Sequence, residues 1–304
     1  MQTESPRKPW YTRPKYIILI AVLAVLLLFS LYPVGPSGPK PKSQVALDSA
    51  ITYFANNYNF TLGLIPETPG SHVYWLVSDN YLADLALTRY SSSNQSTANF
   101  GAALSTALSG YEATLPAVLR QSQYSALNST KAYFGCSADY ALSWSTGGVA
   151  AGGNGSAVLM TTANDQGPAC ASQNYADLLF LQAIYSHRLG DSTAAASYYQ
   201  TGAKDFDGKG FVDLANQGSA QGTLTYQTYK VALYVYATIC LGEQANAPNL
   251  AAAESTLLHM QSNSTGGFAT SYGSGITPTS GANTETTALA ALALELMISP
   301  SSSC

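Results

Sequence analysis

Two acidic residues stand at the head of apolar helical patterns far apart in the chain. Asp79 lies in Ser78-Asp79-Asn80-Tyr81, and Glu285 lies in Asn283-Thr284-Glu285-Thr286. Paired carboxyls are what glycoside hydrolysis needs, one as acid and one as base or nucleophile, about 5–9.5 Å apart. The plainer reading is that acids in a first helical turn cap amide N–H groups and complement the macrodipole. Trp75, Asn80, Tyr81, Tyr226, Tyr229 and Asn283 cluster around helix starts of this kind and are the substrate-binding candidates. Rings stacked on sugar faces are a common binding device, and amphipathic core packing is the competing role for them. Asp84 and Asp177 fall about one turn into two helices, where they either line the same cavity or bond outward to neighbouring helices.

Other chemistries leave weaker traces. Asp205, Asp207, Gly210, Val212 and Asp213 match positions 1, 3, 6, 8 and 9 of a calcium loop. Lys209 and Asn216 occupy positions 5 and 12, the latter where a bidentate Glu is expected, so the stretch reads as a solvated turn. The three histidines (His72, His187, His259) are scattered and no Cys-x-x-Cys is present, so no metal site is expected. Gly147-Gly148 and Gly152-Gly153 match no nucleophile elbow, phosphate loop or dinucleotide fingerprint, and no cofactor is expected.

The elements that carry these residues are paired helices. Helical periodicity predicts Lys42–Asn57, Asn80–Tyr90 with Ser78 as its N-cap, 95–109, 173–189, 192–204, 223–241, 250–261 and a last helix opening at Asn283. Three joints repeat between them: Gly63-Leu64-Ile65, Lys209-Gly210-Phe211 and Gly267-Phe268. Each follows one helix and precedes a loop and a second helix with a polar start. From about residue 121 to 170 the character changes to aromatic alternation broken by Gly, which reads as an inserted, irregular β-containing lobe. Cys136 and Cys170 bracket it and are the expected disulfide, while Cys240 and Cys304 either pair or leave Cys240 buried.

Leu257-Leu258-His259-Met260-Gln261 followed by Gly266-Gly267-Phe268 resembles the repeat of α/α-toroid proteins, which include terpenoid cyclases, prenyltransferase β-subunits and six-hairpin glycosidases. The resemblance spans about Val45–Leu296, interrupted by the insertion, and implies an all-α domain, a helical-hairpin toroid or open arc, expected at residues 43–304. It further implies that inner helices run one way, bringing Asp79 and Glu285 to the same end of a barrel. The acid motif of the cyclases and the zinc set of the prenyltransferases are missing, which leaves glycan chemistry as the implied activity.

Ahead of this domain Ile17–Leu31 is apolar apart from Ser30, preceded by Arg7, Lys8, Arg13 and Lys15. With its flanks it approaches the ~20 residues that span a bilayer, and the positive-inside rule keeps residues 1–15 in the cytoplasm. We expect a transmembrane signal anchor at 16–34 and a Pro-rich spacer at 35–42; a cleaved signal peptide is the alternative. Beyond the anchor sixteen acidic residues outnumber nine basic ones, which disfavours nucleic acid as a partner. The expected partners are the lipid bilayer, through the anchor, and polysaccharide or other envelope components. Only 10% of the 304 residues are charged, and sequons at Asn59, Asn94, Asn128, Asn154 and Asn263 suggest a glycosylated extracellular surface. The functional expectation is a membrane-anchored hydrolase or lyase on glycans, and the alternative a non-catalytic binding or structural envelope protein.

Overall fold

Helices that are apolar on every side must be surrounded by protein. Two segments here have that character, Thr228–Cys240 and Thr284–Ile298, and both are buried over most of their length. The rest of the fold is wrapped about them. The computed structural model describes residues 39–71, 74–90, 95–113, 122–134, 137–142, 157–163, 174–216, 224–300 and 304. The chain divides into two units, Met1–Lys40 and Pro41–Cys304, and the described helices and strands all lie in the second.

The described residues are mostly helical, as an all-α protein requires. In chain order they form α1 (Lys42–Asn57), β1 (Tyr74–Leu76), α2 (Val77–Tyr90), α3 (Gln95–Glu112), a 3-10 turn (Gln123–Leu127), β2 (Ser137–Leu142) and β3 (Ala157–Ala163). Next come α4 (Ala176–Arg188), α5 (Ser192–Ala203), β4 (Thr225–Gln227), α6 (Thr228–Cys240), α7 (Leu250–His259), β5 (Ser271–Gly273) and α8 (Thr284–Ile298). Helix α6 packs between α4 and α8, and α8 packs in turn on α2. Helices α1, α3, α5 and α7 lie against α8, α2, α4 and α6 respectively. Each outer helix buries one face only; α5, for example, buries Ala195, Tyr199 and Gly202. Between α2 and α4 lies the segment 122–134. Arg89 of α2 and Arg188 of α4 both donate to Leu127 O, and Tyr185 donates to Thr130 O.

The three joints read in the sequence are one recurring device. Each is a tight loop closed by an isolated antiparallel bridge: Asn59 with Leu64, Phe206 with Phe211 and Gln261 with Phe268. Each turns through a left-handed glycine, at Gly63, Gly208 and Gly266. Side chains of the following helices clamp two of them. Asn80 receives Ile65 N and donates to Ile65 O, and Thr287 Oγ1 receives Phe268 N. The joints therefore set where α2 and α8 begin.

Boundaries differ from expectation where local hydrogen bonding decides them. Helix α2 begins at Val77, so Ser78 lies inside it and bonds Asp79 rather than capping. Residues 225–227 pair with β5 as a short strand instead of opening α6. The insertion does contain strands: β3 pairs antiparallel with β2 and parallel with β1, placing Trp75 opposite Val158. Cys240 and Cys304 are disulfide-bonded, their Cα atoms 5.3 Å apart, which fastens the chain's last residue to the end of α6. The Cys136–Cys170 pairing, the 16–34 anchor and the sequons at Asn94 and Asn154 lie outside the described residues. No helix among the described residues is long and apolar enough to cross a membrane.

Candidate functional site

The inner helices α2, α4, α6 and α8 all begin just after the outer-to-inner loops, and their first turns carry the chemistry. Asp79 is the third residue of α2, Asp177 the second of α4, and Glu285 the second of α8. Tyr229 and Lys230 are the second and third of α6. Glu67 reaches the same place from the loop after the first joint, and its backbone carbonyl receives Thr284 N at 2.8 Å.

Asp79 and Glu285 are brought together. Burial raises the proton affinity of Asp79 well above the usual carboxylate range, and the charges of Glu285 and Glu67 raise it further. Burial likewise raises Glu285; the hydroxyl of Tyr124 donates to its Oε1 and opposes the rise, and the charges of Asp177 and Glu67 add to it. Like charges held close in a low-dielectric setting cannot all ionise at neutral pH. Asp79 is 2% exposed, whereas Glu285 and Glu67 are half-buried. Neither acid caps its helix. The cap of α8 is Asn283, whose Oδ1 receives Thr286 N at 2.9 Å, and Oδ2 of Asp79 has no hydrogen-bond partner.

The lysine in the first turn of α6 is engaged elsewhere. Lys230, 1% exposed, binds Asp213 Oδ2 at 2.5 Å and stands 3.7 Å from Asp177 Oδ1. Asp213 also receives Ala176 N at 2.9 Å, tying the start of α4 to that of α6. Burial raises Asp177, and Lys230 partly offsets the rise. Tyr229 is half-buried, and its hydroxyl is pushed far up by burial and by the charges of Asp177 and Glu285.

The remaining sequence candidates are placed otherwise. Asn80 is fully buried and its amide is taken up by Ile65 and Leu76, which leaves it structural. Trp75 is 1% exposed in the small sheet. Tyr226 is 1% exposed, stacks on Tyr272 at 5.3 Å and donates to Asp207 Oδ2 at 2.5 Å. Asn283 is a helix cap. Tyr81 is half-buried and donates to the side chain of Asn128, turning toward segment 122–134. Of the six, Tyr229 alone joins the two acids. In the calcium-like stretch Asp207 receives Lys209 N and Gly210 N, and Asp213 is held by Lys230. No group of metal-ligating side chains gathers among the described residues.

Tyr124 and Glu67 were not singled out by sequence. Tyr124 lies 161 positions from Glu285 in the segment read as part of the insertion, and no spacing rule links them. Lys230 had a usable signal, as a single cation inside the apolar run Tyr229-Lys230-Val231-Ala232-Leu233, where a buried charge requires a partner. A pocket of about 730 Å³ opens between Thr68-Pro69 and the last joint, with Gln261, Ser262, Thr270 and Ala282 in its wall, and neither Asp79 nor Glu285 lines it. No family model, curated protein or solved structure matches the chain.

Proposed function

We propose that this chain is a membrane-anchored glycan hydrolase or lyase whose helical hairpins form an α/α toroid or arc. Its acid–base pair is Asp79 and Glu285. The observation that carries the reading is their convergence: two carboxyls from adjacent inner helices, both with raised proton affinity, and no salt bridge to either among the described residues. A carboxyl poised to hold a proton near neutral pH is the equipment of a general acid. Glu285, the more exposed, exchanges the proton with substrate, and Tyr124 orients it. Asp79 behind it tunes that proton by its own charge. The pocket at Thr68 and Ala282, near Glu67 and Glu285 along the chain, falls within the size range of small-molecule sites.

An extracellular position is supported by the apolar run after four basic residues and by the Cys240–Cys304 bond, since such bonds persist in oxidising compartments. In this reading residues 16–34 sit in the bilayer, residues 1–15 face the cytoplasm and the sequons face outward.

The test is release of new chain ends from a panel of polysaccharides, neutral and charged. The wild-type protein cleaves at least one, and Asp79→Asn and Glu285→Gln each abolish cleavage with unchanged far-UV circular dichroism. The 2% exposure of Asp79 favours a second reading, a non-catalytic glycan- or protein-binding envelope component. A protein that binds glycans from the panel and cleaves none would establish that alternative.

A further inference from the structure

Lys230 stands where a cation is costly. It lies in the first turn of the enclosed helix α6, followed by buried Val231, Ala232 and Leu233, and its side chain is 1% exposed. Its Nζ lies 2.5 Å from Asp213 Oδ2, on a carboxyl that is 0% exposed. Taking both ions out of water carries a desolvation penalty that their attraction need not repay. A reaction that removes both charges removes that penalty with them.

Asp213 is held as an acyl group is held for transfer. Asn216 donates to Phe211 O at 3.0 Å and to Thr225 O at 3.2 Å, which fixes the loop that carries it. Ala215 N donates to Asp213 Oδ1 at 3.1 Å, and Ala176 N donates to Oδ2 at 2.9 Å. A backbone N–H aimed at an acyl oxygen stabilises the negative charge that develops there under attack. Adding one carbonyl bond length, about 1.2 Å, puts Nζ at most about 3.7 Å from Asp213 Cγ, close to the separation of a near-attack pair. A second carboxyl completes the set. Asp177 Oδ1 stands 3.7 Å from the same Nζ, is closed off from solvent and receives no hydrogen bond. It is a proton acceptor beside the nitrogen, with its lone pairs unused.

We infer that Lys230 and Asp213 condense into an intramolecular isopeptide bond, with Asp177 carrying the proton. The hydrogen-bonded proton passes from Nζ to Asp213 Oδ2, which leaves an amine facing a carboxylic acid. The Nζ lone pair attacks Cγ, the Nζ–Cγ bond forms, and Oδ1 takes the negative charge against Ala215 N. Asp177 removes one proton from the nitrogen. The carbonyl re-forms, the Cγ–Oδ2 bond breaks, and Oδ2 leaves as water with the proton that Asp177 returns. Of the three ammonium protons one stays on the amide and two depart in the water, so Asp177 ends as it began and no other reactant is consumed. The product is a neutral, water-excluded amide that ties the loop after the second joint to α6. The inference is independent of the glycan reading.

The experiment is peptide mass spectrometry on the full chain, reduced, denatured and digested. Leu214, Leu224 and Tyr226 lie between the two residues, so chymotrypsin cuts the chain that joins them. Asp213 and Lys230 are nevertheless expected on one branched peptide, lighter by one water than its two strands together. Trypsin is expected to leave the bond after Lys230 uncut in the same sample. Asp177→Asn, folded with the circular dichroism of the wild type, is expected to keep the water and a free Lys230 amine, an outcome that a merely structural role for Asp177 would not produce. Separate wild-type peptides of full mass, with Lys230 open to trypsin, overturn the proposal and leave the pair a buried salt bridge. A cross-link as complete in Asp177→Asn as in the wild type overturns the proton transfer given to Asp177. If that variant fails to fold, the presence or absence of the branched peptide in the wild type decides the proposal alone.

Discussion

Asn80 offers the sharpest contrast between a binding role and a structural one, because replacing it separates the two. Its side chain is 0% exposed and makes three hydrogen bonds: Ile65 N to Oδ1 at 2.7 Å, Nδ2 to Ile65 O at 2.8 Å and Nδ2 to Leu76 O at 2.9 Å. Asn80→Ala strips Ile65 of both side-chain partners in a place water does not reach. Each orphaned buried group costs about 1–3 kcal/mol, and the small void left behind adds to this, for a total of about 3–5 kcal/mol. For a domain of this size each kcal/mol lowers Tm by about 2–4 °C, so a fall of roughly 10 °C is expected. Urea unfolding followed by tryptophan fluorescence measures the stability directly, with the midpoint lowered and the slope unchanged. A variant within about 1 kcal/mol of wild type would refute the claim that this amide fixes the first joint. Weakened glycan binding at unaltered stability would return Asn80 to the binding surface.

Three further outcomes are expected from neighbouring contacts. Gly266 has φ +78°, and a Cβ there would stand 2.3 Å from the backbone oxygen of Ser49, so Gly266→Ala should lose about 2–3 kcal/mol in the same urea assay. Cys240 and Cys304 are 64 positions apart, and loop-closure entropy sets the loss on Cys304→Ala at up to about 4 kcal/mol, read as a lower thermal midpoint that reducing agent reproduces in the wild type. Burial, aided by the charge of Glu112, raises Asp84 from 3.8 to about 6. The folded state therefore holds that proton where the unfolded state, with an ordinary Asp near 3.9, has lost it. This contribution is complete below pH ~4 and disappears as pH rises toward 6, and Asp84→Asn should flatten that part of the stability–pH curve.

Helical periodicity and joint chemistry were legible in the sequence because both are local. Lys42–Asn57 falls where its apolar face predicts, and the Gly63, Gly210 and Gly267 motifs mark real bridged loops. At Gly210 the reason is contact, since a Cβ would lie 2.4 Å from the Tyr226 ring. What could not be read was the direction of side chains at helix starts. Trp75, Asn80 and Tyr226 have the types and spacing of a binding platform, but burying Asn80 against a joint, Trp75 in the three-stranded sheet and Tyr226 in the two-stranded one satisfies the same pattern. The charges of Asp79 and Glu285 act on one another because α2 and α8 are neighbours, a fact of tertiary order. The hydrogen bond from Tyr124 to Glu285 depends on the path of segment 122–134 between α2 and α4, which composition read only as irregular. Asp177 was divided between cavity and neighbour, and its ion pair is with Lys230 of the neighbouring helix α6.

Whether Asp79 and Glu285 form one electrostatic unit is tested most directly by a carboxyl-carbon NMR titration of Asp79 in the wild type and in Glu285→Gln. Asp79 is expected to titrate well above the ordinary aspartate range in the wild type. In Glu285→Gln its midpoint should move down, because a like charge has gone, and remain raised, because burial has not changed. An Asp79 that titrates as an ordinary carboxyl, or whose midpoint ignores the loss of Glu285, would contradict the pairing.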